Sequence, residues 1–201
     1  MSMPDGAGEG ALRPADREHA MIPGFSRVTP LALRPLLGAG LALAIVLVVA
    51  SSFGPLLLWN RSESEPLGLY ARATDQPAVG RLIAFPAPPA AFPYADDRMS
   101  YLRHMPILKQ VAAAEGGLVC TTGGVLTIDG RRVAPVFAVD PRGRRLPQWR
   151  GCRRLTAGEF FVFSDRIPNS FDSRYYGPVS AQQVLGVYRP LWSASEAPGD
   201  L

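Results

Sequence analysis

The chain has 201 residues, 47% of them hydrophobic, with 21 Lys plus Arg against 17 Asp plus Glu and a formal net charge of +4. That length suits one modest domain with appendages, and the charge is too small and too scattered for the clustered basic face that nucleic-acid binding needs. Two histidines, His19 and His104, and two cysteines exclude most self-sufficient zinc constellations; no metal or organic cofactor is implied.

In chain order, residues 1–34 are rich in Gly, Pro and polar groups and read as a flexible tail without a core of its own. From Pro35 to Asn60 there is no charged residue. The run Leu36–Trp59 is dominated by Leu, Ala and Val, and about 20 apolar residues suffice to span a bilayer. The sequence therefore predicts one transmembrane helix over residues 35–59. A cleaved secretory signal is the alternative, but its apolar region is usually only about 7–15 residues. Pro35 fits a first helical turn, Gly54-Pro55 can kink the helix or end its regular part, and Trp59 stands where an interfacial aromatic anchors an exit. Arg13, Arg17, Arg27 and Arg34 precede the span; Arg61 and Arg72 follow it. The excess on the N-terminal side predicts a cytoplasmic N-terminus and an exported domain over residues 60–192, with residues 193–201 a flexible C-terminal tail.

The exported part reads as short β-prone runs between turn signals. Arg81–Phe85 is a strand stopped by the Pro-rich stretch 86–93, and Arg98–Met105 is a short helix ended by Pro106. Ile107–Ala114 is a buried strand, apolar except for Lys109 and Gln110. Gly117–Thr121 and Val125–Ile128 flank the turn Thr122-Gly123-Gly124, and Asp129-Gly130 is a tight-turn signal. Val133–Val139 and Glu159–Ser164 complete the set. The domain is expected to be mainly β and antiparallel. Cys120 and Cys152 both fall in it. An oxidising compartment permits them a disulfide worth ~3–4 kcal/mol in the chain-entropy model; two buried free thiols are the alternative.

Of the 21 basic residues, 20 are arginine and one is lysine, Lys109. A GC-rich gene with one chance survivor is the plain explanation. The chemical one is that a buried lysine can lose its proton near neutral pH, which arginine cannot.

Directly after the apolar run comes Asn60-Arg61-Ser62-Glu63-Ser64-Glu65-Pro66-Leu67-Gly68-Leu69-Tyr70. The pattern N-x-S-x-S-x-P-x-G-L-Y after one N-terminal span resembles the conjugative-transfer signal peptidases of the TraF type, relatives of bacterial type I signal peptidases. Two further blocks match in order. Pro106–Val111 is similar to the block carrying that family's general-base lysine, and Asn169–Pro178 resembles its N-S-x-D-S-R-Y-x-G signature. The resemblance runs from about residue 36 to about residue 192. It implies a signal-peptidase-like antiparallel β catalytic domain, with Ser64 as nucleophile and Lys109 as general base. It further implies Ser62 as oxyanion donor, Ser170 as the serine that contacts and orients the lysine, and Asp172 paired with Arg174 in support of the site. Within the conjugative branch the aspartate is itself needed for activity. Two positions depart from general signal peptidases. Ala114-Glu115-Gly116-Gly117 replaces L-P-G-D, which argues for the conjugative branch, and Glu65 stands where Met is common.

The expected activity is that of a membrane-anchored Ser–Lys endopeptidase that processes a membrane-inserted pilin precursor of a conjugative or type IV secretion system; the sequence leaves open whether the acyl-enzyme is resolved by hydrolysis or by the cyclisation that the TraF resemblance implies. Its expected place is the bacterial inner membrane with the catalytic domain periplasmic, in contact with lipid and with other conjugation-machinery proteins. A general type I signal peptidase and a non-catalytic bitopic scaffold of a secretion channel are the alternative readings. The residue types fit the chemistry: a serine hydroxyl is a poor nucleophile until a base takes its proton. A lysine of ordinary pKa, about 10.4, cannot be that base at neutral pH, whereas burial lowers the value by disfavouring the ammonium.

Overall fold

The computed structural model describes residues 38–44 and 54–193. The chain divides into two units, Met1–Val48 and Val49–Leu201. In the first, the described residues 38–44 are helical; the expected tail over 1–34 and about half of the expected span lie outside the described residues. Among those described, no helix is long and apolar enough to cross a membrane.

One boundary is corrected. Leu57–Asn60, the end of the run read as a transmembrane helix, is strand β1. Leu58 and Asn60 turn inward while Leu57 and Trp59 face out, the two-residue alternation of a strand, and β1 pairs with the segment that follows the serines. Composition cannot separate helix from strand in so short an apolar piece once Gly54-Pro55 has broken the run. Trp59 accordingly stacks on Trp192 at 6.1 Å between ring centroids, both half exposed. At the other end Ser193, expected to open the C-terminal tail, closes the last strand and is buried; residues 194–201 lie outside the described residues.

The larger sheet has the order β1-β2-β11-β3-β4-β9-β10, with β2 at Gly68–Ala73, β3 at Leu82–Phe85, β4 at Ile107–Ala113, β9 at Glu159–Val162, β10 at Val179–Ser180 and β11 at Gly186–Ser193. The smaller has the order β7-β6-β5-β8, with β5 at Leu118–Thr122, β6 at Val125–Ile128, β7 at Arg131–Pro135 and β8 at Cys152–Arg154. Every pairing is antiparallel, so the mainly β, antiparallel expectation holds. The helix expected over Arg98–Met105 is a helix α1 at Tyr94–Arg98 followed by a 3-10 turn at Ser100–Arg103. A one-turn helix α2 at Ser173–Tyr176 carries the D-S-R-Y block.

The core explains where the lysine ends up. Ile83, Phe85, Ile107, Val111, Val162 and Val187 share the largest apolar cluster, while Ala84 and Leu108 belong to another with Leu58, Tyr70 and Tyr188. Side chains on a strand alternate between faces, so Lys109 shares the face of Ile107 and Val111, opposite Ile83 on β3. A third cluster, Ala113, Val119, Leu126, Leu155 and Phe161, joins residues of the two sheets. Across β5 and β8, Cys120 and Cys152 stand opposite each other and are joined by a disulfide.

Candidate active site

The nucleophile loop is built by Asn60. Its inward side chain shares its amide protons among the carbonyls of Ser62 (2.9 Å), Glu65 (3.0 Å) and Pro66 (2.9 Å), and its Oδ1 accepts from the Ser62 N–H at 3.1 Å. One asparagine thus satisfies the backbone groups of a loop that has no sheet partner for them. Tyr70 Oη donates to the Pro66 carbonyl at 2.7 Å. Ser164, just after β9, donates its hydroxyl to the Ser64 carbonyl. Gly68 is held at φ +151, where a Cβ would run into the Trp192 carbonyl oxygen. The glycine of S-x-P-x-G therefore lets β11 approach closely enough to pair with β2.

These restraints put Ser64 Oγ between two partners. Lys109 Nζ is hydrogen-bonded to it, and Ser62 Oγ lies 2.8 Å away. Ser64 and Lys109 are 2% and 3% exposed. Burial lowers the Lys109 amine from 10.5 to about 8; Glu65 and Asp172 oppose the shift and Arg174 assists it. About a tenth of the amine is then free at pH 7 and more above it, with its lone pair in reach of the Ser64 proton. That is the requirement for an activated serine.

Asp172 and Arg174 form a buried bidentate pair, with Nε–Oδ1 at 2.8 Å and Nη2–Oδ2 at 2.9 Å. Arg174 also donates to the carbonyls of Ser170 and Pro135, both at 2.9 Å. Its backbone N–H donates to Asp172 Oδ1, which caps α2. The Ser173 hydroxyl accepts from the Val162 N–H at 3.0 Å and ties the block to β9. Both charges of the pair reach Lys109 electrostatically.

Four of the expected site residues, Ser62, Ser64, Asp172 and Arg174, are thus gathered around Lys109. Ser170 is also buried, and its hydroxyl has no hydrogen-bond partner among the described residues. Arg174 fixes Ser170 by its carbonyl, and the lysine amine is engaged by Ser64. The residues that the sequence left unassigned are Asn60, Glu65, Tyr70, Ser164 and Ser173. Asn60 carried a signal, because asparagine favours turns by bonding local backbone, and Tyr70 closes the quoted N-x-S-x-S-x-P-x-G-L-Y pattern four residues after Pro66; Ser164 acts across the fold and carried none.

A cleft of about 840 Å³ is lined by Gly54, Leu56, Arg72, Asp75, Phe160 and Leu185 among others and includes neither Ser64 nor Lys109. Size without a reactive group does not make a catalytic site. No group of three or more His, Cys, Asp or Glu among the described residues is arranged to hold a metal ion.

Comparison with known proteins agrees with this constellation. The profile of the family described as signal peptidase, peptidase S26, matches residues 34–192. The conjugal transfer protein TraF of Agrobacterium tumefaciens (strain 15955) is 34% identical over 175 residues, covering 81% of this chain and 96% of that protein. A plasmid transfer protein TraF of Escherichia coli is 29% identical over 143 residues, 66% of this chain and 80% of that one. A crystal structure of a signal peptidase I from Enterococcus faecalis V583 aligns with 22% identity over 57% of this chain and 98% of its own, at a TM-score of 0.34, too low to argue from. The matched profile spans all three sequence blocks and the dyad they bring together: the chain belongs to the signal peptidase family, peptidase S26, as a protein of the TraF type.

Proposed function

We propose that this protein is a membrane-anchored serine endopeptidase in which Ser64 is the nucleophile and Lys109 the general base, and that it processes the pilin precursor of a conjugative or type IV secretion system. The observation that carries the chemistry is the buried hydrogen bond between Lys109 Nζ and Ser64 Oγ. The TraF relatives, by their names, carry the conjugal role.

In the proposed reaction Ser64 Oγ attacks the scissile carbonyl and its proton passes to Lys109. Ser62 Oγ and the Ser64 backbone N–H stabilise the oxyanion. Collapse breaks the C–N bond, and the Lys109 ammonium returns the proton to the leaving amine. An ester to Ser64 remains. Water resolves it in hydrolysis; the pilin's own N-terminal amine resolves it in cyclisation, and the first half-reaction is common to both.

Anchoring is supported by the uncharged run 35–60 and by the exposed apolar side chains Leu57, Trp59, Leu191 and Trp192 on β1 and β11. Tryptophan at the lipid–water boundary is the usual interfacial residue. On this reading the N-terminus is cytoplasmic, the catalytic unit sits at the periplasmic face of the inner membrane, and enzyme and inserted precursor meet in a shared orientation that raises their effective concentration.

Intact-mass spectrometry of the cognate pilin from cells carrying wild type, Ser64→Ala or Lys109→Arg tests the proposal. Wild type should yield processed pilin and both variants the precursor. A product one water lighter than the cleaved linear peptide identifies cyclisation, and the linear mass identifies hydrolysis. Normal processing by both variants would overturn the assignment.

A further inference from the structure

Glu65 is a buried carboxyl group next to the nucleophile that the reaction above does not use. It is 6% exposed, and burying a carboxylate is costly unless something compensates it. Its Oε1 accepts the backbone N–H of Gln110 at 3.3 Å. The residue after the serine therefore reaches the residue after the lysine and joins the nucleophile loop to β4. Asn60 Nδ2 holds the Glu65 carbonyl from the other side. A glutamine or methionine would fill the position without the cost of desolvating a charge, so the titratable group itself calls for an explanation.

The charges that face it supply one. Lys109 on β4 and Arg166 after β9 favour the carboxylate; Asp165 beside Arg166 disfavours it, and Tyr70 on β2 feels its charge. Desolvation dominates and raises Glu65 from 4.5 to about 7. Lys109, lowered to about 8, feels Glu65 as the largest influence opposing its burial. The ammonium–carboxylate pair and the amine–carboxylic acid pair hold the same number of protons, and the lower value at Glu65 than at Lys109 puts the shared proton on the lysine. The Glu65 carboxylate thus keeps Lys109 more basic than burial alone would make it, and the lone pair becomes free for Ser64 as the pH rises through about 8.

We propose that Glu65 is a positioning residue of the dyad: its carboxyl group ties the nucleophile loop to the base strand and acts on Lys109 through its charge, so that it sets the pH range over which the lysine is a base. The proposal rests on the Ser–Lys reading, and the experiment separates the two. Because Lys109 is the only lysine, full-length protein labelled with 13Cε-lysine gives one lysine signal to titrate. In wild type it should titrate near 8 with a second, smaller inflection near 7 from Glu65. Glu65→Gln keeps an acceptor for Gln110 but removes the charge. It should erase the lower inflection and move the Lys109 midpoint down by about one pH unit, and the acid limb of kcat/KM for precursor cleavage should follow by the same amount. A depressed Lys109 with one inflection in wild type, or a midpoint that Glu65→Gln leaves in place, overturns the role of Glu65 and leaves the dyad standing. A wild-type midpoint at the ordinary value of about 10.4 overturns the dyad itself. The wild-type inflection needs no variant, so a substitution that failed to fold would still leave the proposal decided.

Discussion

Lys109 is where composition, burial and chemistry meet. Its free amine is the active form, so cleavage by the wild type should rise as pH rises through about 8, read as the acid limb of kcat/KM against pH. Lys109→Arg keeps a cation but removes the base, and a loss of about 10²–10⁴-fold in kcat is expected. The same burial leaves a mark on stability. The native lysine binds fewer protons than the unfolded one between about 8 and 10.5, so its contribution to stability rises with pH across that window. Native Glu65 binds more protons than unfolded Glu65 between 4.5 and about 7, so its contribution is fully present below 4.5 and is lost as pH rises to about 7. Together they place a shallow minimum of stability between pH 7 and 8. The double variant Glu65→Gln with Lys109→Met should remove that minimum from the melting temperature plotted against pH; an unchanged dip would show that other groups cause it.

Among the elements, the one-turn helix α2 and its cap carry the greatest structural risk. Asp172 and Arg174 are fully buried, and removal of one member of such a pair strands a charge. Arg174→Met or Asp172→Asn should therefore destabilise by about 3–5 kcal/mol in a denaturant titration; a change under 1 kcal/mol would mean that water reaches the pair. Gly68 makes a second test, because φ +151 and the nearby Trp192 carbonyl leave no room for a methyl group. Gly68→Ala should loosen β11 from β2 and move the Ser64 loop, seen as loss of cleavage together with a lower melting temperature. At this scale much was legible. The apolar run Ile107–Ala114 and the Asp129-Gly130 turn appear as β4 and the β6–β7 hairpin, with Asp129 and Gly130 both at positive φ. By contrast, β1 was hidden in the apolar run, and β8, β10 and β11 carry no clear two-residue pattern. Gly186–Ser193 has one stretch buried, then four consecutive exposed residues around the irregularity between Pro190 and Trp192. Such strands are specified by their partners rather than by their own sequence.

For the whole molecule, the site was readable because its residues are both rare and chemically constrained. A single lysine, a serine in S-x-P-x-G and a D-S-R block announce themselves in a linear chain. The contact of Ser164 with the Ser64 loop and the burial of Ser170 beside α2 depended on how distant segments come together, and no spacing encodes that. The disulfide belongs to this scale too. Cys120 and Cys152 are separated by 32 residues and fasten β8 to the smaller sheet. Cys120→Ala with Cys152→Ala should cost ~3–4 kcal/mol in chemical denaturation while leaving the pH profile of cleavage unchanged, since neither cysteine takes part in the dyad. A shifted profile would mean that the smaller sheet helps to shape the site.

The most direct test of the central claim is the mass of the enzyme itself during turnover. Acid quenching of the full-length protein mixed with the pilin precursor, followed by peptide mapping, should find the acyl fragment as an ester on the peptide that contains Ser64. Ser64→Ala should carry no adduct and leave the precursor uncut. Precursor processed at the wild-type rate by Ser64→Ala, with no adduct on the wild-type peptide, would contradict the account.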